Sequence, residues 1–109
     1  MEEIKMSQPV TIDLMTKNGM KHYEETFVPF RKHLEMLEMN AQLEKEPMSE
    51  LEWLKKQTSF ISSVFTDEEV TPDAIMDGLN SSDYKEKFEL VIAQMMGFDP
   101  NVIAEAPTA

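Results

Sequence analysis

The chain contains no cysteine. That single absence removes disulfides, iron–sulfur clusters, thiolate zinc and cysteine nucleophiles, and it points to a reducing cytoplasm. Glycine is scarce too, three in 109 residues, too few to build phosphate-cradling loops on the usual patterns. No apolar run approaches the roughly 18 residues that read as a membrane span, and no signal-peptide pattern opens the chain. Bases are outnumbered, with 10 Lys and Arg against 21 Asp and Glu and a formal net charge of −11. Such a charge repels nucleic-acid phosphates and anionic lipid, so neither is expected as the main partner.

Catalytic patterns are missing as well. His22 and His33 sit on different elements, neither with a carboxylate at telling spacing. No Gly-x-Ser-x-Gly elbow is present to expose a serine nucleophile. The acids between Asp67 and Asp77 lack the Asp-x-Asp-x-Asp-Gly run and the twelfth-position glutamate of a calcium loop. Asp77-Gly78-Leu79 invites comparison with acyl carriers, but glycine stands where the phosphopantetheine-bearing serine would be needed. The expectation is a protein that is not an enzyme, with no catalytic residue, metal site, cofactor or small-molecule substrate.

What is present is a readable order of elements. Val10, Ile12 and Leu14 alternate with Thr11, Asp13 and Met15, the period of a half-buried strand. Asn18-Gly19 follows, the strongest short signal for a two-residue hairpin turn. With those two residues at the tip, Leu14 pairs with Tyr23 and Val10 with Phe27, so that Val10, Leu14, Tyr23 and Phe27 share the inner face and Glu25 lands opposite Ile12. A helix is predicted from about Pro29 to Lys45, stopping before Pro47. Ser49 and Glu52 have capping-box spacing, predicting a second helix to about Phe65 and, across the short link, an antiparallel helical hairpin. Thr71-Pro72 opens a short helix that ends near Gly78. Ser81 or Ser82 caps a last helix, roughly Asp83 to Met96, with Tyr84, Phe88, Val91, Ile92 and Met95 inward and Gly97 as C-cap. The fold class is α+β and mostly helical: an N-terminal β-hairpin packed on about four helices, with a disordered C-terminal tail. Residues 1–8 are expected to be flexible, 9–97 to form the one domain, and 98–109 to be a loose tail.

The two long helices carry more apolar residues than one buried face needs. In 29–45, Phe30, Leu34, Leu37 and Ala41 make one stripe, with His33, Met36, Met39 and Leu43 beside it. In 49–65, Leu51, Leu54, Thr58, Ile61 and Phe65 make one stripe, and Trp53, Gln57, Phe60 and Val64 lie alongside. Ten methionines add unbranched, polarizable side chains that repack against irregular apolar surfaces. A monomer of this size with one hairpin cannot bury all four stripes, so self-association or client binding follows. One stripe of each helix is expected to face inward. The other, around Met36, Met39, Leu43, Trp53 and Phe60, is expected to bind a partner.

The order of hairpin, Phe27-Val28-Pro29-Phe30-Arg31, paired helices, Phe65 and then Val70-Thr71-x-Asp73-x-Ile75-x-Asp77-Gly78-Leu79 resembles the tail assembly chaperones of long-tailed (siphovirus-type) bacteriophages and prophages of Gram-positive hosts. The similarity runs from about Val10 to Gly97. One departure is the link Thr66-Asp67-Glu68-Glu69-Val70, where the family often carries a Gly-Asn-Gln-Phe-like stretch. The resemblance implies a non-enzymatic assembly factor in the host bacterial cytoplasm, absent from the mature virion. It implies binding to the tape measure protein, protection of that protein from aggregation, and recruitment of tail tube subunits. It also implies, in many phages, a longer frameshifted product. The alternative, drawn from the acid-rich stretch 67–83, is a small acidic regulatory or inhibitor protein that binds one specific protein partner.

Overall fold

The computed structural model describes residues 9–97. The order is β1 (Val10–Thr16), β2 (Gly19–Glu25), α1 (Phe30–Lys45), α2 (Glu50–Val64), α3 (Pro72–Gly78) and α4 (Tyr84–Met95). This is the α+β arrangement expected, a hairpin packed against four helices. The flexible ends expected at 1–8 and 98–109 lie outside the described residues.

The hairpin differs from the expected one in its turn. Thr16 pairs with Gly19, Leu14 with Lys21, Ile12 with Tyr23 and Val10 with Glu25, so Lys17 and Asn18 form the tip. No non-glycine residue among those described has a positive φ, whereas Gly19 stands at +105°. The left-handed conformation falls on the residue after the tip rather than within it, and the loop closes as an ordinary turn followed by glycine. Thr16 Oγ1 holds this geometry. It donates to Gly19 O at 2.7 Å and accepts from Asn18 N–H at 3.1 Å.

The register is thus two residues from the expected one. An even shift leaves every side chain on its own face, so Val10, Leu14 and Tyr23 are buried as anticipated. Phe27 is not: β2 ends at Glu25, and Phe27 lies exposed in the connection to α1. The inward end position falls to Glu25, whose carboxylate accepts from Thr66 N–H at 2.8 Å and Thr66 Oγ1 at 2.9 Å. A buried carboxylate needs such donors, and these tie the end of β2 to the segment after α2.

Beneath the hairpin, Val10, Ile12, Leu14 and Tyr23 pack with Ile61, Val64 and Phe65 of α2 and its C-cap, Val70, Ile75 of α3, and Phe88 and Val91 of α4. Gly78 makes the α3 contact possible. A Cβ there would sit 2.9 Å from Leu14 Cβ and 3.0 Å from Met15 O, so the end of α3 lies on the β1 backbone. Gln94, on α4, is buried and accepts from Thr11 N–H at 3.0 Å, covering a β1 edge group that β2 cannot reach.

The caps follow local chemistry. Ser49 Oγ accepts from Glu52 N–H at 3.1 Å and Thr71 Oγ1 from Ala74 N–H at 3.0 Å, as the sequence predicts. At α4 the cap is Asp83 rather than Ser81 or Ser82, without a side-chain bond. Asn80 Oδ1 takes the Ser82 N–H and hydroxyl instead, at 3.0 and 2.9 Å, and this turn delays the helix start. Gly97, φ +85°, donates its N–H to Gln94 O at 3.0 Å and ends α4. The helical hairpin expected of α1 and α2 closes only loosely. Of the 16 residues of α1 a single one, Met36, is buried, and its backbone makes the sparsest tertiary contact of the four helices.

Candidate partner-binding surface

The entry into α1 decides which of its two stripes turns inward. Val28 packs against the core, and Lys32 reaches across to α2, donating to Ser63 Oγ at 3.1 Å, while within α1 it donates to Glu35 Oε1 at 3.1 Å. With those positions facing the body, Met36 and Met39 are carried inward. They face Trp53, Gln57, Phe60, Ile61 and Ile92 across a cleft of about 330 Å³. Unbranched methionine suits such a loosely filled gap. Phe30, Leu34 and Leu37 then point away from the molecule, and they are 72 %, 46 % and 50 % exposed. Ala41 continues the row at the surface, and Phe27 precedes it.

The expected division of faces is therefore reversed on α1. Met36 and Phe60, placed in the partner-binding stripe, are 8 % and 7 % exposed and belong to the core. Met39 packs against that core, and Leu43 and Trp53 are half-buried. The structure does bring Met36, Met39, Trp53 and Phe60 together, but as the two walls of the α1–α2 cleft. Both stripes of α1 carry three or four apolar residues at helical spacing, so periodicity had no means of ranking them. On α2 the two stripes merge into one broad inner face, with Thr58, Phe60, Ile61 and Val64 buried, while Leu51 at its start is 63 % exposed.

A second apolar feature runs between α2 and the pair α3 and α4. Leu54, Thr58, Ile75, Met76, Leu79, Tyr84 and Phe88 line a cleft of about 250 Å³. It joins, through Leu54, Tyr84 and Phe88, a neighbouring cleft of about 290 Å³ bounded by Trp53, Gln57 and Ile92 and rimmed by Glu50, Lys85 and Glu89. The Tyr84 and Phe88 rings meet edge to face at 5.8 Å and form its floor on the α4 side. Exposed Met76 stands at its mouth and exposed Leu51 one turn before Leu54. The arrangement is a shallow apolar groove with a charged rim, the shape that receives the apolar face of a helix.

The polar clusters have structural work to do. Glu69, within the acid-rich loop, receives Lys21 Nζ at 2.6 Å and Tyr23 OH at 3.0 Å on one oxygen. These bonds hold its carboxyl below the usual range, and Lys21 is raised in turn, chiefly by the same hydrogen bond. Burial, then Glu69, pushes the Tyr23 phenol up. On the outer hairpin face the His22 ring lies between Asp13 Oδ1 at 2.6 Å and Glu24 Oε2 at 3.0 Å. Those two carboxylates, Asp13 first, raise its pKa. Among the described residues no group of three or more His, Cys, Asp or Glu is placed to hold a metal ion, and no helix is long and apolar enough to cross a membrane.

Residues 8–107 match the family described as phage tail chaperone protein. The chain belongs to that family. Neither a curated protein nor a solved structure matches it. The match spans the hairpin and all four helices, so the clefts and ridge described above are features of a phage tail chaperone and its general task is tail assembly.

Leu51, Met76 and Phe27 escaped the sequence reading as surface residues. Leu51 belongs by spacing to a stripe expected to face inward, Met76 lies on a helix too short for a periodic signal, and a tip at Asn18-Gly19 would put Phe27 in the strand. The ridge carried a legible signal nonetheless. Phe27, Phe30, Leu34, Leu37 and Ala41 alternate steps of three and four residues.

Proposed function

We propose that this phage tail chaperone binds the tape measure protein, a long helical client. In this reading it lays the client's apolar face in the groove between α2 and α4, keeps it from aggregating, and helps bring tail tube subunits to it. The work takes place in the host bacterial cytoplasm, and the chaperone leaves before the virion is complete. The observation that carries the reading is the paired cleft floored by Leu54, Tyr84 and Phe88, with Met76 exposed at its mouth and Leu51 exposed one turn before Leu54 on α2. Complete burial of one large apolar side chain is worth about 1.5–3 kcal/mol. Two or three client anchors could offset the cost of association, which runs to several kcal/mol. The acids of 67–83 other than Glu69 would keep a coated client dispersed.

The test is co-expression with a helical segment of the tape measure protein, followed by binding measurements at rising ionic strength. Wild type should hold the segment in the soluble fraction, with affinity kept or strengthened by salt. Leu51→Asp with Met76→Asp should release it while the helical circular dichroism signal stays unchanged. Binding that collapses as salt screens charge would instead favour an acidic regulator of one specific partner.

A further inference from the structure

The α1 ridge lies on the side of the helix opposite Met36, away from the client groove. Its steps of three and four residues through Phe30, Leu34, Leu37 and Ala41 are the a and d positions of a coiled-coil seam, and all four side chains are exposed. The seam is narrow and bounded by polar residues. Arg31, Glu38 and Lys45 lie along one flank, His33 and Asn40 along the other. α1 balances three bases, Arg31, Lys32 and Lys45, against three acids, Glu35, Glu38 and Glu44, whereas the whole chain carries −11. Here two strongly acidic copies can approach without like charges meeting.

We infer that α1 pairs with α1 of a second copy, antiparallel, about a two-fold axis passing near Glu35 and Met36. That centre sets Leu34 against the second copy's Leu37 and Phe30 against its Ala41, so each large ring meets the smallest seam residue. It also brings Arg31 within a turn of the second copy's Glu38, and Glu38 near its Arg31, because in an antiparallel pair like flanks face each other. A parallel pair would stack Phe30 on Phe30, leave Ala41 facing Ala41 across a gap, and put Arg31 opposite Thr26. The contact is isologous and closes on itself. None of the seam residues lines the clefts, so pairing leaves both grooves free, and a dimer would grip a repetitive helical client at two points, with the avidity that linkage confers. The pairing itself rests on α1 alone and stands whether or not the groove binds the tape measure protein.

Sedimentation equilibrium of the full chain from low to high micromolar concentration tests the inference. Wild type should pass from monomer to dimer across that range. Leu34→Glu with Leu37→Glu should stay monomeric throughout with unchanged far-ultraviolet circular dichroism. Arg31→Glu should weaken the dimer several-fold, and adding Glu38→Arg should restore it, a rescue that does not depend on the seam variant folding. Since the chain has no cysteine, single-cysteine variants report direction. An oxidised mixture of Phe30→Cys and Ala41→Cys should yield the mixed disulfide in preference to either homodimer. A wild type that stays monomeric, a seam variant that associates as wild type does, or homodimeric cross-links would each overturn the pairing. If the monomeric protein loses its client when Leu34 and Leu37 are changed, the ridge belongs to the client instead, and the pairing is equally refuted.

Discussion

Gly78→Ala adds one methyl group at the closest approach between a helix and the hairpin. The new carbon would lie 2.9 Å from Leu14 Cβ, 3.0 Å from Met15 O and 3.2 Å from Met15 N. Carbon atoms rest at about 3.5–4.0 Å from one another, so the approach to Leu14 Cβ is short by more than half an ångström, and Met15 O and N crowd the new carbon from the β1 backbone. None of the three can rotate aside, since two are backbone and the third is a Cβ. Replacing Leu14 by Ala therefore brings no relief. The alanine gains up to about 1 kcal/mol of helix propensity, less at a helix end. Overpacking of this kind costs about 1–3 kcal/mol, leaving a net loss of about 1–2 kcal/mol. For a domain of this size that lowers Tm by roughly 4–8 °C per kcal/mol. Thermal and urea unfolding followed by circular dichroism read it directly. α3 also bears Ile75 and Met76 of the groove, so client binding should fall with the same substitution before stability is lost. A variant as stable as wild type would refute the placement of α3 on β1.

Two further outcomes follow from the burial pattern and the hairpin charges. Met36→Asp combined with Phe60→Asp should unfold the protein, seen as loss of cooperative melting, because two carboxylates would enter the core beside Ile61; a folded double variant would return those residues to the surface. His22 has its folded pKa raised by Asp13 and Glu24, so protonation favours the folded hairpin. The stabilisation is complete below the ordinary histidine value of 6.5 and is lost as pH climbs through the higher folded pKa. Protection factors of the hairpin amides, with the intrinsic pH dependence of exchange divided out, should fall across that window in wild type and stay level in His22→Ala, and salt should flatten the wild-type response.

The hairpin and the helices were legible because their signals are local. Strand alternation at Val10–Leu14, the Ser49 and Thr71 caps and the glycine after α4 each depend on residues within a turn of one another. The turn was misjudged because Asn18-Gly19 is a statistical signal for the tip, whereas the Thr16 hydroxyl, bonding to Gly19 O and Asn18 N–H, favours a tip one residue earlier. Even so the inner face survived, since a slip of two residues conserves sidedness. The partner surface was half legible. An excess of apolar helix face could be read from the stripes, and the structure does leave Phe30, Leu34, Leu37 and Leu51 exposed, but on the stripes assigned inward.

Composition and spacing alone determined that this is an acidic, cysteine-free, mostly helical chain with a hairpin and more apolar helix surface than it can bury. Each of those properties is a sum or a short-range pattern, indifferent to how the helices dock. Which stripe of α1 is hidden, that Glu25 rather than Phe27 ends the inner face of β2, and that Gly78 serves a contact with β1 were decided only by the tertiary structure. The rotation of a helix about its own axis is set by what it rests on, here Val28 in the core and Lys32 reaching Ser63. Ser63, and the core residues that receive Val28, are distant in sequence from the stripes whose direction they set.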